Sequence, residues 1–91
     1  MPADNPPIQI EVRLFGGLRD KLPNAARGRS DFEIHEGASV VDLLDTLDIQ
    51  SELAAMLLVN GEQITRDRGV RAQRQLEPGD VVSIFPPLAG G

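Results

Sequence analysis

The sequence predicts a small α+β domain, a mixed sheet of about five strands with one main helix on one face. Three observations carry this expectation. Ile8, Ile10, Val12 and Leu14 alternate with Gln9, Glu11 and Arg13, the period-two pattern of a strand with one buried side. Val40, Leu43, Leu44 and Leu47 recur at helical spacing and form one apolar stripe. Two further apolar runs, Met56 to Val59 and Val81 to Phe85, are each bounded by turn chemistry. The resulting order is strand, strand, helix, strand, strand, strand, with the helix stripe laid on the sheet.

Residues 1–7 hold three of the prolines and little apolar content, and read as a disordered lead-in. The first strand begins at Ile8. Phe15 prolongs its apolar run before Gly16-Gly17 breaks it, and Leu18 and Leu22 are expected to tuck a short turn against the body. Asp31 to Glu36 reads as the second strand, with Phe32 and Ile34 on one face and Glu33 and His35 on the other. Gly37 turns the chain. Ser39 is placed to cap the helix that follows, and Asp42 lies near its positive end. So short a helix is marginal by itself and depends on packing.

Met56 to Val59 is apolar throughout, as expected of a strand covered on both sides. Asn60-Gly61 is a strong hairpin signal, because both central residues of the tight turn need positive φ. Glu62 to Thr65 returns from it. Arg66 to Gln75 reads as a polar loop that Val70 anchors. Pro78-Gly79 suits the centre of a type II turn before the last strand.

The 91 residues make one domain. The chain has no cysteine, which excludes disulfides, thiolate metal sites and a cysteine nucleophile. One histidine, His35, gives a zinc site or a Ser-His-Asp arrangement almost nothing to build on. A net charge of −5 and a shortage of aromatics argue against nucleic-acid binding. No apolar run approaches membrane-spanning length, and the first residues lack the features of a signal peptide. A cytoplasmic protein is expected.

Residues 8–85 read as the domain and 86–91 as a flexible C-terminal tail. Pro86 and Pro87 remove two backbone donors, so the tail cannot extend the sheet and leaves in a stiff, extended form. From Pro86 to Gly91 the tail spans up to roughly 20 Å at about 3.3 Å per residue. Gly90 and Gly91, without Cβ atoms, fit a narrow channel. The tail reads as a carboxylate on a thin stalk.

Phe85-Pro86-Pro87-Leu88-Ala89-Gly90-Gly91 resembles the terminus of the small sulfur-carrier subunits of molybdopterin synthase, within the MoaD/ThiS-like, ubiquitin-related β-grasp carriers. Val12-Arg13-Leu14-Phe15-Gly16-Gly17-Leu18-Arg19-Asp20 is similar to that family's first strand and the Arg-acidic pair after it. Val59-Asn60-Gly61-Glu62 resembles its hairpin, and Leu76-Glu77-Pro78-Gly79-Asp80-Val81-Val82 its acidic turn before the last strand. The resemblance implies the β-grasp order, with the first and last strands adjacent at the centre of the sheet.

It also implies a chemistry. Gly91 would be the reacting residue: its carboxylate is adenylated, converted to a thiocarboxylate, and donates sulfur to a pterin precursor on the way to the molybdenum or tungsten cofactor. Nothing in the chain activates a carboxylate by itself, since Gly16-Gly17 is too short to cradle phosphate. No cofactor is expected to be bound, and ATP is used by a partner activating enzyme of the ubiquitin E1-like type. The large synthase subunit is the second implied partner. Pro86, Pro87, Leu88, Ala89 and Gly90 would enter these partners. Phe85 reads either as a core aromatic or, by position and family, as an interface anchor. Arg19 reads either as a contact with an acidic partner surface or as a solvated arginine. The arginines at 66, 68, 71 and 74 read as a solubilising loop. Three alternatives stand beside this reading: a ubiquitin-like modifier joined through Gly91 to lysines, a carrier of the thiamine pathway, and a plain interaction domain whose diglycine is incidental.

Overall fold

The computed structural model describes residues 6–21 and 29–87. Five strands form one sheet in the order β2-β1-β5-β3-β4. They are β1 (Ile8–Leu14), β2 (Arg29–Ile34), β3 (Met56–Val59), β4 (Glu62–Ile64) and β5 (Val81–Phe85). β1 and β5 are parallel neighbours at the centre, and every other pairing is antiparallel. This is the ubiquitin-like β-grasp arrangement.

Register decides which side chains are buried, because directly paired residues point to the same face. Val12 pairs with Val82 and Leu14 with Ile84; Val82 and Ile84 in turn pair with Val59 and Leu57. All six are buried, five of them with no exposed surface. Over this face lies α1 (Val40–Thr46), contributing Val40, Leu43 and Leu44, with Leu47 just past its end. Each fully buried aliphatic side chain stabilises the fold by about 1.5–3 kcal/mol.

The N-terminus of α1 is closed by a capping box. The Ser39 hydroxyl accepts from the Asp42 amide at 3.2 Å, and the Asp42 carboxylate accepts from the Ser39 amide at 2.9 Å. The hairpin turn is as expected: Asn60 and Gly61 sit at φ of 55° and 85°. Asn60 also clamps this turn to the next one. Its amide nitrogen donates to the Asp80 carboxylate at 2.9 Å and its amide oxygen accepts from the Val81 backbone at 2.9 Å. The other Asp80 oxygen accepts from the Glu77 amide at 2.9 Å.

Three expectations are corrected. The second strand runs from Arg29 to Ile34, two residues earlier than Asp31 to Glu36. Pairing from Arg13↔Arg29 to Ile8↔Ile34 fixes those limits, and beyond Ile34 there is no further β1 residue to pair with. β3 is covered on one side only: Leu57 and Val59 are fully buried, whereas Met56 is 39% exposed and Leu58 half-buried. The side opposite α1 carries no second layer among the described residues.

The third correction concerns Arg66 to Gln75, which holds a helix, α2 (Arg68–Gln73), rather than a loop. Asp67 caps it, its carboxylate accepting from the Val70 amide at 3.1 Å. Backbone bonds from Val40 to the Arg74 carbonyl and from Leu76 to the Ala38 carbonyl fasten its far end to the start of α1. Val70 does not anchor the segment, being 46% exposed; Arg71 is the buried residue. The long arginine stem packs inward as an aliphatic chain. Leu22, expected to tuck inward with Leu18, lies outside the described residues; Leu18 is buried.

Candidate functional site

The open side of the sheet is built from the alternate residues of the same strands. Its two halves differ. Along β1 and β2 it is charged: Glu11 sits against the Arg13 guanidinium, with Arg29 3.8 Å away, and Asp31 pairs across from Glu11. Along β5 and β3 it is apolar apart from Ser83: Leu58 lies across from Ser83, Val81 stands beside Glu11 of β1, and Phe85 and Met56 close the far end. Met56 lies directly across from Phe85 at the end where the tail departs.

Phe15 completes this end. The β1–β5 register sets Leu14 beside Ile84, so the next residue along each strand turns to the open face. The Phe15 and Phe85 rings stack with centroids 4.2 Å apart and planes 8° from parallel. The Phe15 amide donates to the Ile84 carbonyl at 3.2 Å, which extends the central ladder by one rung. Phe15 is nevertheless 38% exposed. Here the chain leaves the sheet: Pro86 is half-buried, Pro87 exposed, and neither donates a backbone hydrogen bond. An apolar groove of about 700 Å³ surrounds the exit, lined by Gly16, Gly17, Ala55 and Met56 on its sides and by Phe85, Pro86 and Pro87 along the chain.

The sequence-predicted site residues are thus divided. Phe85, Pro86 and Pro87 are together at the root of the tail. Arg19 is exposed on the 3-10 helix Gly16–Lys21, which follows Phe15, and makes no ion pair among the described residues. Leu88, Ala89, Gly90 and Gly91 lie outside the described residues. Sequence reasoning missed Phe15 and Met56. The signal for Phe15 was its parity: it stands one step past Leu14 as Phe85 stands one step past Ile84. It becomes readable once the first and last strands are taken as neighbours.

Arg71 is a perturbed charge held inside the fold by α2. Burial lowers its affinity for the proton, and the positive charge of Arg66 acts in the same direction. Its Nε donates to the Thr65 carbonyl at 2.8 Å, whereas both terminal amino groups are buried and without a hydrogen-bond partner among the described residues. An arginine stays cationic even so. Among the described residues no three potential metal ligands are grouped, and no helix is long and apolar enough to cross a membrane.

Known proteins share this architecture. The chain is similar to small archaeal modifier protein 3 of Haloferax volcanii, 27% identical over 95 residues that cover 92% of this chain and all of the relative. The solution structure of the Haloferax volcanii HVO 2177 protein superposes with a TM-score of 0.71 at 24% identity, covering 100% of this chain and 93% of that one. The complex of subunits 1 and 2 of the molybdopterin-converting factor from Helicobacter pylori contains a chain that matches with a TM-score of 0.51 at 24% identity, covering 92% of this chain and all of that one. The ThiS family model matches residues 12–91, from the central strand through the diglycine. The chain belongs to the ThiS family of ubiquitin-like sulfur carriers.

Proposed function

We propose that this chain carries sulfur on Gly91 for the synthesis of molybdopterin. In this reading the Gly91 carboxylate attacks the α-phosphate of ATP in an activating enzyme and releases pyrophosphate. A sulfur nucleophile then attacks the acyl-adenylate, AMP leaves, and the thiocarboxylate passes its sulfur to a pterin precursor held by a large synthase subunit. ATP-dependent activation argues for a cytoplasmic setting.

The observation that carries the reading is the apolar ground around the exit of a proline-stiffened tail. Phe15, Phe85 and Met56 present two stacked rings and a thioether on an open sheet face, with Phe15 and Met56 each more than a third exposed. Aromatic and Met side chains are enriched where protein surfaces dock. A partner seated on this ground receives the tail at a defined point, and supplies the reactive groups that a lone carboxylate requires. The similarity to a molybdopterin-converting subunit, together with Phe85-Pro86-Pro87, favours the pterin pathway over the thiamine one.

A second reading has its own support in the Haloferax relative, whose name is that of a protein modifier. There the same activated Gly91 is attacked by a lysine amine of another protein instead of by sulfur. Protein purified from its native host separates the two. A thiocarboxylate in the intact mass, with free protein predominating, supports the carrier. Isopeptide remnants of Gly90-Gly91 on lysines of other proteins support the modifier. Lys21 is the only lysine of the chain, so lysine-linked polymers have a single possible site, and the carrier reading expects none.

A further inference from the structure

We infer that Gly16 is a positioning residue for the reaction at Gly91, because it is the seat against which Pro86 rests and which sets the direction of the tail. The inference rests on the carrier reading above. Gly16 has a φ of +58°, a region that residues with a side chain seldom adopt. A Cβ added there would lie 2.9 Å from Pro86 Cγ and 3.5 Å from Pro86 Cδ, so the proline would have to move. Its neighbour Gly17 faces open space, with nothing within 4 Å of a Cβ at that position. The closeness is therefore particular to Gly16. The preceding residue is held firmly: Phe15 stacks on Phe85 and bonds to the Ile84 carbonyl. The Phe15-Gly16 turn thus grips the last residue of the sheet and abuts the first residue of the tail.

Pro86 and Pro87 transmit direction because their φ angles are fixed. A displacement of several tenths of an ångström at Pro86 shifts and tilts the Pro86-Pro87 segment that presents the tail to the partner. The reacting carboxylate must meet the α-phosphate in near-attack geometry, where misplacement by ~1 Å costs about a hundredfold in rate. Gly16 borders the same groove but has no side chain to offer a partner, and the side chains of Phe15, Met56 and Phe85 are retained in the variant, so kcat and KM report tail aim and docking separately.

The test is ATP–pyrophosphate exchange with the activating enzyme of the same host, using the full chain and four variants: Gly16→Ala, Gly37→Ala, Pro86→Ala and Gly16→Ala/Pro86→Ala. Gly16→Ala is expected to lower kcat by about tenfold or more, in keeping with the cost of misplacement, while KM stays within about twofold because the docking anchors are unchanged. Gly37→Ala, also at a positive φ but outside the groove and with nothing within 4 Å of its Cβ, should exchange as the wild type does. Removing the proline ring removes the obstruction, so the double variant should return to the rate of Pro86→Ala alone. If Gly16→Ala exchanges normally, or if the double variant stays as slow as Gly16→Ala, the inference is overturned; the second result would assign the defect to backbone strain at Gly16. A nuclear Overhauser contact between Gly16 Hα and Pro86 Hγ in the free wild type is expected, and its absence also overturns the inference whatever the rates. A wild type that shows this contact yet never supports exchange overturns the carrier reading itself, and with it any role of Gly16 in activation.

Discussion

β5 presents two contrasting surfaces one residue apart. Val82 and Ile84 point beneath α1 and are fully buried. Phe85 points the other way, stacked on Phe15 and open to the groove at the tail. β3 repeats the contrast, with Leu57 and Val59 fully buried and Met56 39% exposed. Both surfaces are apolar, so hydrophobicity alone does not separate the buried residues from the open ones. What separates them is whether a second layer covers them. Under α1 the stabilisation is complete on folding; on the open face, in the reading proposed here, part of it waits for a partner protein.

The largest expected effect strikes the covered side. Ile84→Ala should lower folding stability by about 2–5 kcal/mol, the ordinary cost of truncating a buried aliphatic side chain. Denaturant unfolding measures it, and a loss well under that range would mean that the two sides differ less than described. Phe85→Ala sharpens the comparison from the open side. Partner affinity should fall by about 2 kcal/mol or more, as at an interface anchor. Stability should fall by only about 0.5–1.5 kcal/mol, the worth of one aromatic pair. A titration beside a thermal melt reads both, and a stability loss as great as that of Ile84→Ala would make Phe85 a core residue.

Arg71→Met probes a third environment, buried yet polar. Exchanging a buried cation that has no ion-pair partner among the described residues for a flexible apolar side chain of similar length is expected to leave stability unchanged or raise it by about 1–4 kcal/mol. The sign with pH follows from the lowered proton affinity of Arg71. The folded state holds that proton less tightly than the unfolded state, so the cost to stability is complete below the arginine range and is relieved only as pH rises into it. The difference between Arg71→Met and wild type should therefore be flat between about pH 5 and 9. A clear loss of stability on substitution would show that the guanidinium is paired. The smallest stability effect is expected from one extra residue after Gly91, under about 0.5 kcal/mol in a thermal melt. The same change should abolish adenylation, because it moves the carboxylate by about 3.3–3.6 Å.

Much of the fold was legible because its signals are local. The alternation from Ile8 to Leu14 gave the central strand, Asn60-Gly61 the hairpin, and Ser39 with Asp42 the helix start. α2 was hidden because Arg68 to Gln73 has no apolar stripe and carries Gly69 in its interior; its stability comes from the Asp67 cap and from backbone bonds to the start of α1, which are long-range. The site was half legible. Phe85 and the prolines stood out by their place in the chain. Phe15 did not, because its role depends on lying beside Phe85, and the order of strands in a sheet is not a local property. Met56 read as core for the same reason: an apolar run does not tell which side will be covered.

The most direct test of the account is whether sulfur reaches Gly91. The full chain should be incubated with the activating enzyme of its host, ATP and a sulfur source, beside a chain lacking Gly91, and both examined by intact mass and fragmentation. The account predicts that the full chain gains the difference between sulfur and oxygen, that the change maps to Gly91, and that the shortened chain folds normally without gaining it. Sulfur that appears elsewhere in the chain, or a shortened chain that is charged as readily as the full one, would contradict the claim that the Gly91 carboxylate is the group this fold carries to its partners.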